Sequence, residues 1–154
     1  MGVGKTTISQ LLKKQLNNSV FLDGDWCWDS HPFQVTDETK NMVIDNISYL
    51  LNNFIKCSAY KNIIFCWVMH EQSIIDNILL KLDTSLCDVK VISLVCNIDE
   101  LQKRLLNDVN NGIRHRDVIE KSIKYLPLFS KLKSIKIDVS TITPIEAVNM
   151  ISKL

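Results

Sequence analysis

The sequence predicts an α/β fold, a parallel sheet with helices on both faces, and three observations lead there. Apolar runs of strand length alternate with longer segments whose apolar residues recur at helical spacing. Two of the runs, NIIFCWVM (Asn62 to Met69) and KVISLVC (Lys90 to Cys96), are apolar on both faces, as a strand in the middle of a parallel sheet must be. The resulting order, α-β-α-β-α-β-α-α-β-α, is the alternation that parallel pairing requires, because each crossover between parallel strands is made by a helix.

Each element has its own signal. Ile8, Leu11, Leu12 and Leu16 give Thr6 to Leu16 a helical stripe. Ser19 to Leu22 is a short apolar run that ends at Asp23-Gly24-Asp25, a strand followed by its exit turn. Thr36 caps a second helix that reaches Phe54, with Asp37 and Glu38 in its first turn and a stripe of Met42, Ile44, Ile47, Leu50, Leu51, Phe54 and Ile55. After the strand at Asn62, Glu71 to Leu82 is helical. After the strand at Lys90, Ile98 to Val109 and Asp117 to Leu132 are helical, and Pro127 is expected to bend or divide the latter. Ile135 to Val139 is a last strand. Thr143-Pro144-Ile145-Glu146 combines a cap, a proline at the first helical position and a glutamate at the third, so a final helix starts there and runs to about Lys153.

The bulk properties narrow the possibilities further. The 154 residues suit one domain spanning 1–154, and 46% hydrophobic content supplies an ordinary core. A net charge of +1, with charges interspersed, provides no field to attract nucleic acid or an anionic membrane, so neither partner is expected. The five cysteines contain no C-x-x-C pair and fit a reducing compartment, the cytoplasm by default. No apolar stretch approaches the ~18 residues of a membrane span. A monomer or a homodimer is expected.

The chemistry starts at GVGKTT. Gly4-Lys5-Thr6 supplies the last three positions of the phosphate-loop pattern G-x-x-x-x-G-K-[ST], and a helix follows it. Backbone N–H groups of Gly2, Val3, Gly4, Lys5, Thr6 and Thr7 would point at phosphate oxygens from a helix N-terminus. Lys5 would bring a point charge to the β- and γ-phosphates, and the Thr6 hydroxyl would reach Mg²⁺. The pattern is incomplete, because its first glycine would lie two positions ahead of Met1 and the strand that normally feeds the loop is missing. The expectation is a chain that starts late, through truncation or a mis-set start.

Four stretches together resemble the small P-loop kinases, the group of shikimate, gluconate, adenylylsulfate and nucleoside monophosphate kinases. They are GVGKTT, Phe21-Leu22-Asp23-Gly24-Asp25, VISLVCNIDELQKRL from Val91 to Leu105, and Ile137-Asp138-Val139-Ser140 before the capped helix. The resemblance spans nearly the whole chain. It implies a three-layer αβα P-loop NTPase fold with the first strand missing, and a kinase that takes ATP and Mg²⁺ and phosphorylates a small-molecule acceptor. It further implies that Asp23 holds Mg²⁺ through water and that Asp25 contacts the acceptor hydroxyl. A lid at about 108–118 would follow, with Arg114 and Arg116 clamping the transferred phosphate and Arg104 either joining them or lying on the surface. The segment from Ser140 to Thr143 would lie near the adenine.

The sequence also departs from that group. Trp67-Val68-Met69-His70-Glu71 ends the strand that starts at Asn62 without the usual Walker B aspartate, so metal support would rest on Thr6, Asp23 and water. His70 could face substrate or be structural. Trp26, Trp28 and Phe33 form either an aromatic wall for the acceptor or a hydrophobic cluster under the loop. The rival functions are a nucleotide-binding regulatory module without kinase activity and a nucleoside monophosphate kinase.

Overall fold

The computed structural model describes all 154 residues. Six helices and four strands follow in the expected order: α1 (Lys5–Gln15), β1 (Ser19–Asp23), α2 (Asp37–Lys56), β2 (Asn62–Cys66), α3 (Gln72–Leu80), β3 (Ile92–Val95), α4 (Ile98–Asn110), α5 (Asp117–Ser130), β4 (Ile135–Asp138) and α6 (Pro144–Ile151). They pack as two compact units. One is built from Met1–Ile8 and Lys90–Leu154, the other from Ser9–Val89.

In the Ser9–Val89 unit, β1 and β2 pair in parallel with Asp23 opposite Cys66, so the residues that follow the two strands leave side by side. The core forms where α2 lies on this pair. Val43, Ile47 and Leu51, spaced four apart, are buried with Leu22 and Ile78, a single helical stripe turned inward. Ser48 shares that face at no cost, because its hydroxyl donates to the Ile44 carbonyl at 2.7 Å. Met42, expected in the stripe, is instead 44% exposed. Thr36 caps α2 as expected, and the Thr39 hydroxyl in turn accepts from the Thr36 amide at 2.9 Å.

In the other unit, β3 and β4 pair in parallel from Ile92 opposite Ile135 to Val95 opposite Asp138. Leu101 and Leu105 of α4, Val118 of α5, Ile137 of β4, and Ala147 and Val148 of α6 are buried. Asn97 caps α4 by accepting from the Glu100 amide at 2.8 Å. At α6, Thr143 and Glu146 form the expected reciprocal capping box, with proline at the helix start.

The strands pair two by two, β1 with β2 and β3 with β4, one pair in each unit. The structure refines the sequence reading in two places. Pro127 does not divide α5. The helix runs unbroken from Asp117 to Ser130 with the proline inside it; only one backbone donor is lost there, and its neighbours carry the turn. The Asp23-Gly24-Asp25 turn is the start of a 3₁₀ helix, Gly24–Cys27.

Candidate functional site

The phosphate loop begins with backbone that only glycine adopts without strain. Gly2 and Gly4 have φ of 77° and 93°. Gly2 is also pressed against α4, where an added Cβ would stand 2.7 Å from Leu105 Cδ2. Between them Val3 is buried and anchors the loop. The Gly4 carbonyl accepts the first helical bond from the Ile8 amide at 2.9 Å. Lys5, Thr6 and Thr7 therefore form the opening turn of α1, with Lys5 half-buried and both threonine residues exposed. That turn contains no acidic side chain, while Lys13 and Lys14 occupy the last turn. The positive end of the helix dipole therefore meets no acidic side chain of its own first turn.

Beside the loop is a cavity of about 280 Å³. Gly2, Val3 and Gly4 with Thr7 and Ile8 line one side, and Val139, Ile142, Thr143 and Pro144 line the other. Arg104 completes the lining. Its guanidinium is fixed at two points: Nε donates to Glu100 Oε1 at 2.8 Å and a terminal nitrogen donates to the Val139 carbonyl at 2.7 Å. The β4 exit is equally rigid. Asp138 Oδ1 accepts from the Ser140 amide at 2.8 Å, and the Ser140 hydroxyl accepts from the Asn97 amide at 2.8 Å. Apolar walls, one planar cation and a row of amides at the rim suit a flat heterocycle joined to phosphates.

Charge near the loop is positive. Burial, then the Lys5 ammonium and the Arg114 guanidinium, lower the pKa of the Met1 amino group to about 6. Arg114 Nε donates to Asp108 Oδ2 at 3.0 Å, and Arg116 is exposed immediately ahead of α5. Of the two expected clamp residues, Arg114 thus acts electrostatically on the loop while bound to a carboxylate. Arg104, read as either a clamp or a surface residue, is a cavity wall. The Glu100–Arg104 spacing of four was the one sequence signal for its fixed position.

Hydrogen-bonded carboxylates brace this unit. Hydrogen bonds from Ser140 hold Asp138 below the usual carboxylate range, bonds from Thr143 hold Glu146 there, and the Arg104 guanidinium does the same for Glu100. A depressed folded-state pKa contributes stability that is present above the unfolded pKa and lost as pH falls through the folded one. Melting temperature is therefore expected to be level above about pH 5 and to decline below about pH 4. Glu146→Gln should flatten part of that decline, and an unchanged acid limb would remove the assignment.

The other unit presents the acidic turn. Asp23, at the end of β1, is buried. Its Oδ1 accepts from the Asp25 amide at 3.1 Å and its Oδ2 from the Cys66 thiol at 3.4 Å. Asp25 is exposed, and its Oδ1 accepts from the Trp67 indole Nε1 at 3.1 Å. Gly24 makes that approach possible, since a Cβ there would lie 2.4 Å from Trp67 Cγ. Gly24→Ala is expected to destabilise the protein by about 1–3 kcal/mol, read as a lowered melting temperature. An unchanged melting temperature would show that the ring moves aside freely.

The aromatic residues do not form one wall. Phe33 stacks on Trp28 with centroids 4.9 Å apart, Trp26 meets Phe21 edge-on at 5.3 Å, and both Trp26 and Phe33 are 60% exposed. His70 Nε2 lies 3.5 Å from Glu71 Oε1. Glu71 precedes α3 as its cap residue without a capping side-chain bond. No three His, Cys, Asp or Glu side chains are grouped to hold a metal ion. Any Mg²⁺ would need hydroxyl, phosphate and water oxygens as its main ligands. Trp67 was the residue the sequence did not reveal, because 42 positions separate it from Asp25.

Comparison with known proteins agrees with this architecture. A family model described as an AAA domain matches residues 1–124. No curated protein matches the sequence significantly. Among solved structures, a gluconokinase from Sinorhizobium meliloti is similar at 16% identity and TM-score 0.67, covering 97% of this chain and 83% of that one. A sugar kinase from Janibacter gives 14% identity and TM-score 0.69 over 99% of this chain and 87% of that one. The tunicamycin resistance protein of Deinococcus radiodurans gives 12% identity and TM-score 0.62 over 96% and 88%. At such identities the likeness establishes the P-loop α/β fold. No helix is long and apolar enough to cross a membrane.

Proposed function

The chain belongs to the AAA domain family, and from that premise we propose that it is an ATP-dependent kinase of a small molecule. The observation that carries this reading is the cavity that adjoins the glycine loop and the opening turn of α1. The adenine would enter between Arg104 and the Val139–Pro144 side, and the phosphates would meet the amides from Gly2 to Thr7. Lys5 would hold the β- and γ-phosphates. Thr6 would hold Mg²⁺, which would neutralise charge on the transferring group. Arg114 and Arg116 would add charge to the phosphate. Asp25 would accept the proton of the acceptor hydroxyl as its oxygen bonds to phosphorus and ADP leaves.

The solved kinases of similar fold, among them a gluconokinase and a sugar kinase, favour a hydroxylated small-molecule acceptor. The five free cysteines suit a reducing compartment such as the cytoplasm. Calorimetry with MgATP, followed by coupled ADP release across a panel of hydroxylated acceptors, tests the proposal. Binding with acceptor-dependent ADP release is the expected result. Binding with no release from any acceptor would favour a regulatory nucleotide module, and no heat with MgATP would remove nucleotide binding altogether.

A further inference from the structure

We infer that Trp67 is the positioning residue of the acidic turn, holding the Asp25 carboxylate in one orientation through its indole N–H. The inference rests on the kinase reading, in which Asp25 serves the acceptor. Two independent features of the Ser9–Val89 unit carry it. The indole Nε1 donates to Asp25 Oδ1 at 3.1 Å, while Oδ2 has no hydrogen bond. One oxygen is thus tied to the protein and the other is left for the acceptor proton. The second feature is steric. Gly24 is buried, and its missing Cβ is the space in which the Trp67 ring sits, 2.4 Å from where that atom would be.

Strand register explains how these residues meet. Because Asp23 pairs with Cys66 in parallel β1 and β2, the next residues of each strand emerge at the same edge. Trp67 comes directly after Cys66, and Gly24-Asp25 directly after Asp23. The Asp23 carboxylate accepts from the Asp25 amide, which fixes the backbone of the turn. The Asp25 side chain is exposed and would otherwise rotate freely. Trp28 lies 6.4 Å from the ring, tilted against it, and its own partner Phe33 stacks on it. The indole is therefore a packed group with one outward donor. Positioning of this kind is what a proton acceptor needs, since a carboxylate out of line with the acceptor hydroxyl loses most of its effect.

A double-mutant cycle tests the role, read as MgATP hydrolysis with water in place of the acceptor. Trp67→Phe is expected to lower kcat about ten- to a hundredfold, the value of one hydrogen bond to a charged group. KM for MgATP should be unchanged. In an Asp25→Ala background the same substitution should have no further effect on kcat, because its only route to the reaction is gone. An unchanged kcat in Trp67→Phe, or an equal loss with and without Asp25, overturns the inference. If Trp67→Phe does not fold, the ¹⁵N–¹H signal of the Trp67 indole in Asp25→Ala decides instead. It should move further than those of Trp26 and Trp28, and a stationary signal overturns the contact. A wild-type chain that gives no heat with MgATP defeats the kinase reading itself, independently of either variant.

Discussion

Lys5→Ala is expected to lower kcat/KM for MgATP about 100- to 1,000-fold. The ammonium is the one positive charge within the opening turn of α1, and it would face oxygens whose charge increases as the γ-phosphoryl group leaves. The amides around it would still contact the phosphates, so residual binding should persist. Folding should be unaffected, because alanine is the better helix former and Lys5 is only half-buried. Steady-state kinetics and a thermal melt measured together separate the two effects. Equal kcat/KM in the variant would contradict the phosphate assignment, and a collapsed melt would turn it into a structural one.

Asp25→Asn is expected to reduce kcat about 100- to 10,000-fold, as loss of a positioned proton acceptor does. MgATP affinity should be retained. Asparagine keeps an oxygen that can accept from Trp67, so the turn should hold its shape while the base is lost. A rapid-quench measurement of the transfer step, beside calorimetric MgATP affinity, checks both halves. If affinity falls as far as kcat, Asp25 belongs to the metal and not to the acceptor.

Much of the architecture was legible in order of residues alone. The NIIFCWVM and KVISLVC runs announced two parallel strands, although the structure shortens them to Asn62–Cys66 and Ile92–Val95 and leaves most of their residues half-buried, and the Thr36 and Thr143 caps announced helix starts to within a residue. These are local signals, governed by side-chain period and by nearby hydrogen bonds. Of the two outcomes expected at Pro127, a bend or a division, the structure excludes the division: the α5 turns on either side of the proline outweigh one lost bond, and the helix continues.

Likewise, composition and spacing alone determined the alternating α/β order, the glycine loop at the start of a helix, and the acidic turn after the first strand. Tertiary structure decided what those pieces face. It put Arg104 into the cavity wall by tying it to the Val139 carbonyl, 35 positions away, and brought Trp67 to Asp25 across the β1–β2 pair. It also divided the strands into two parallel pairs. Those outcomes depend on strand register and side-chain packing between distant segments, and neither has a period that a linear sequence displays.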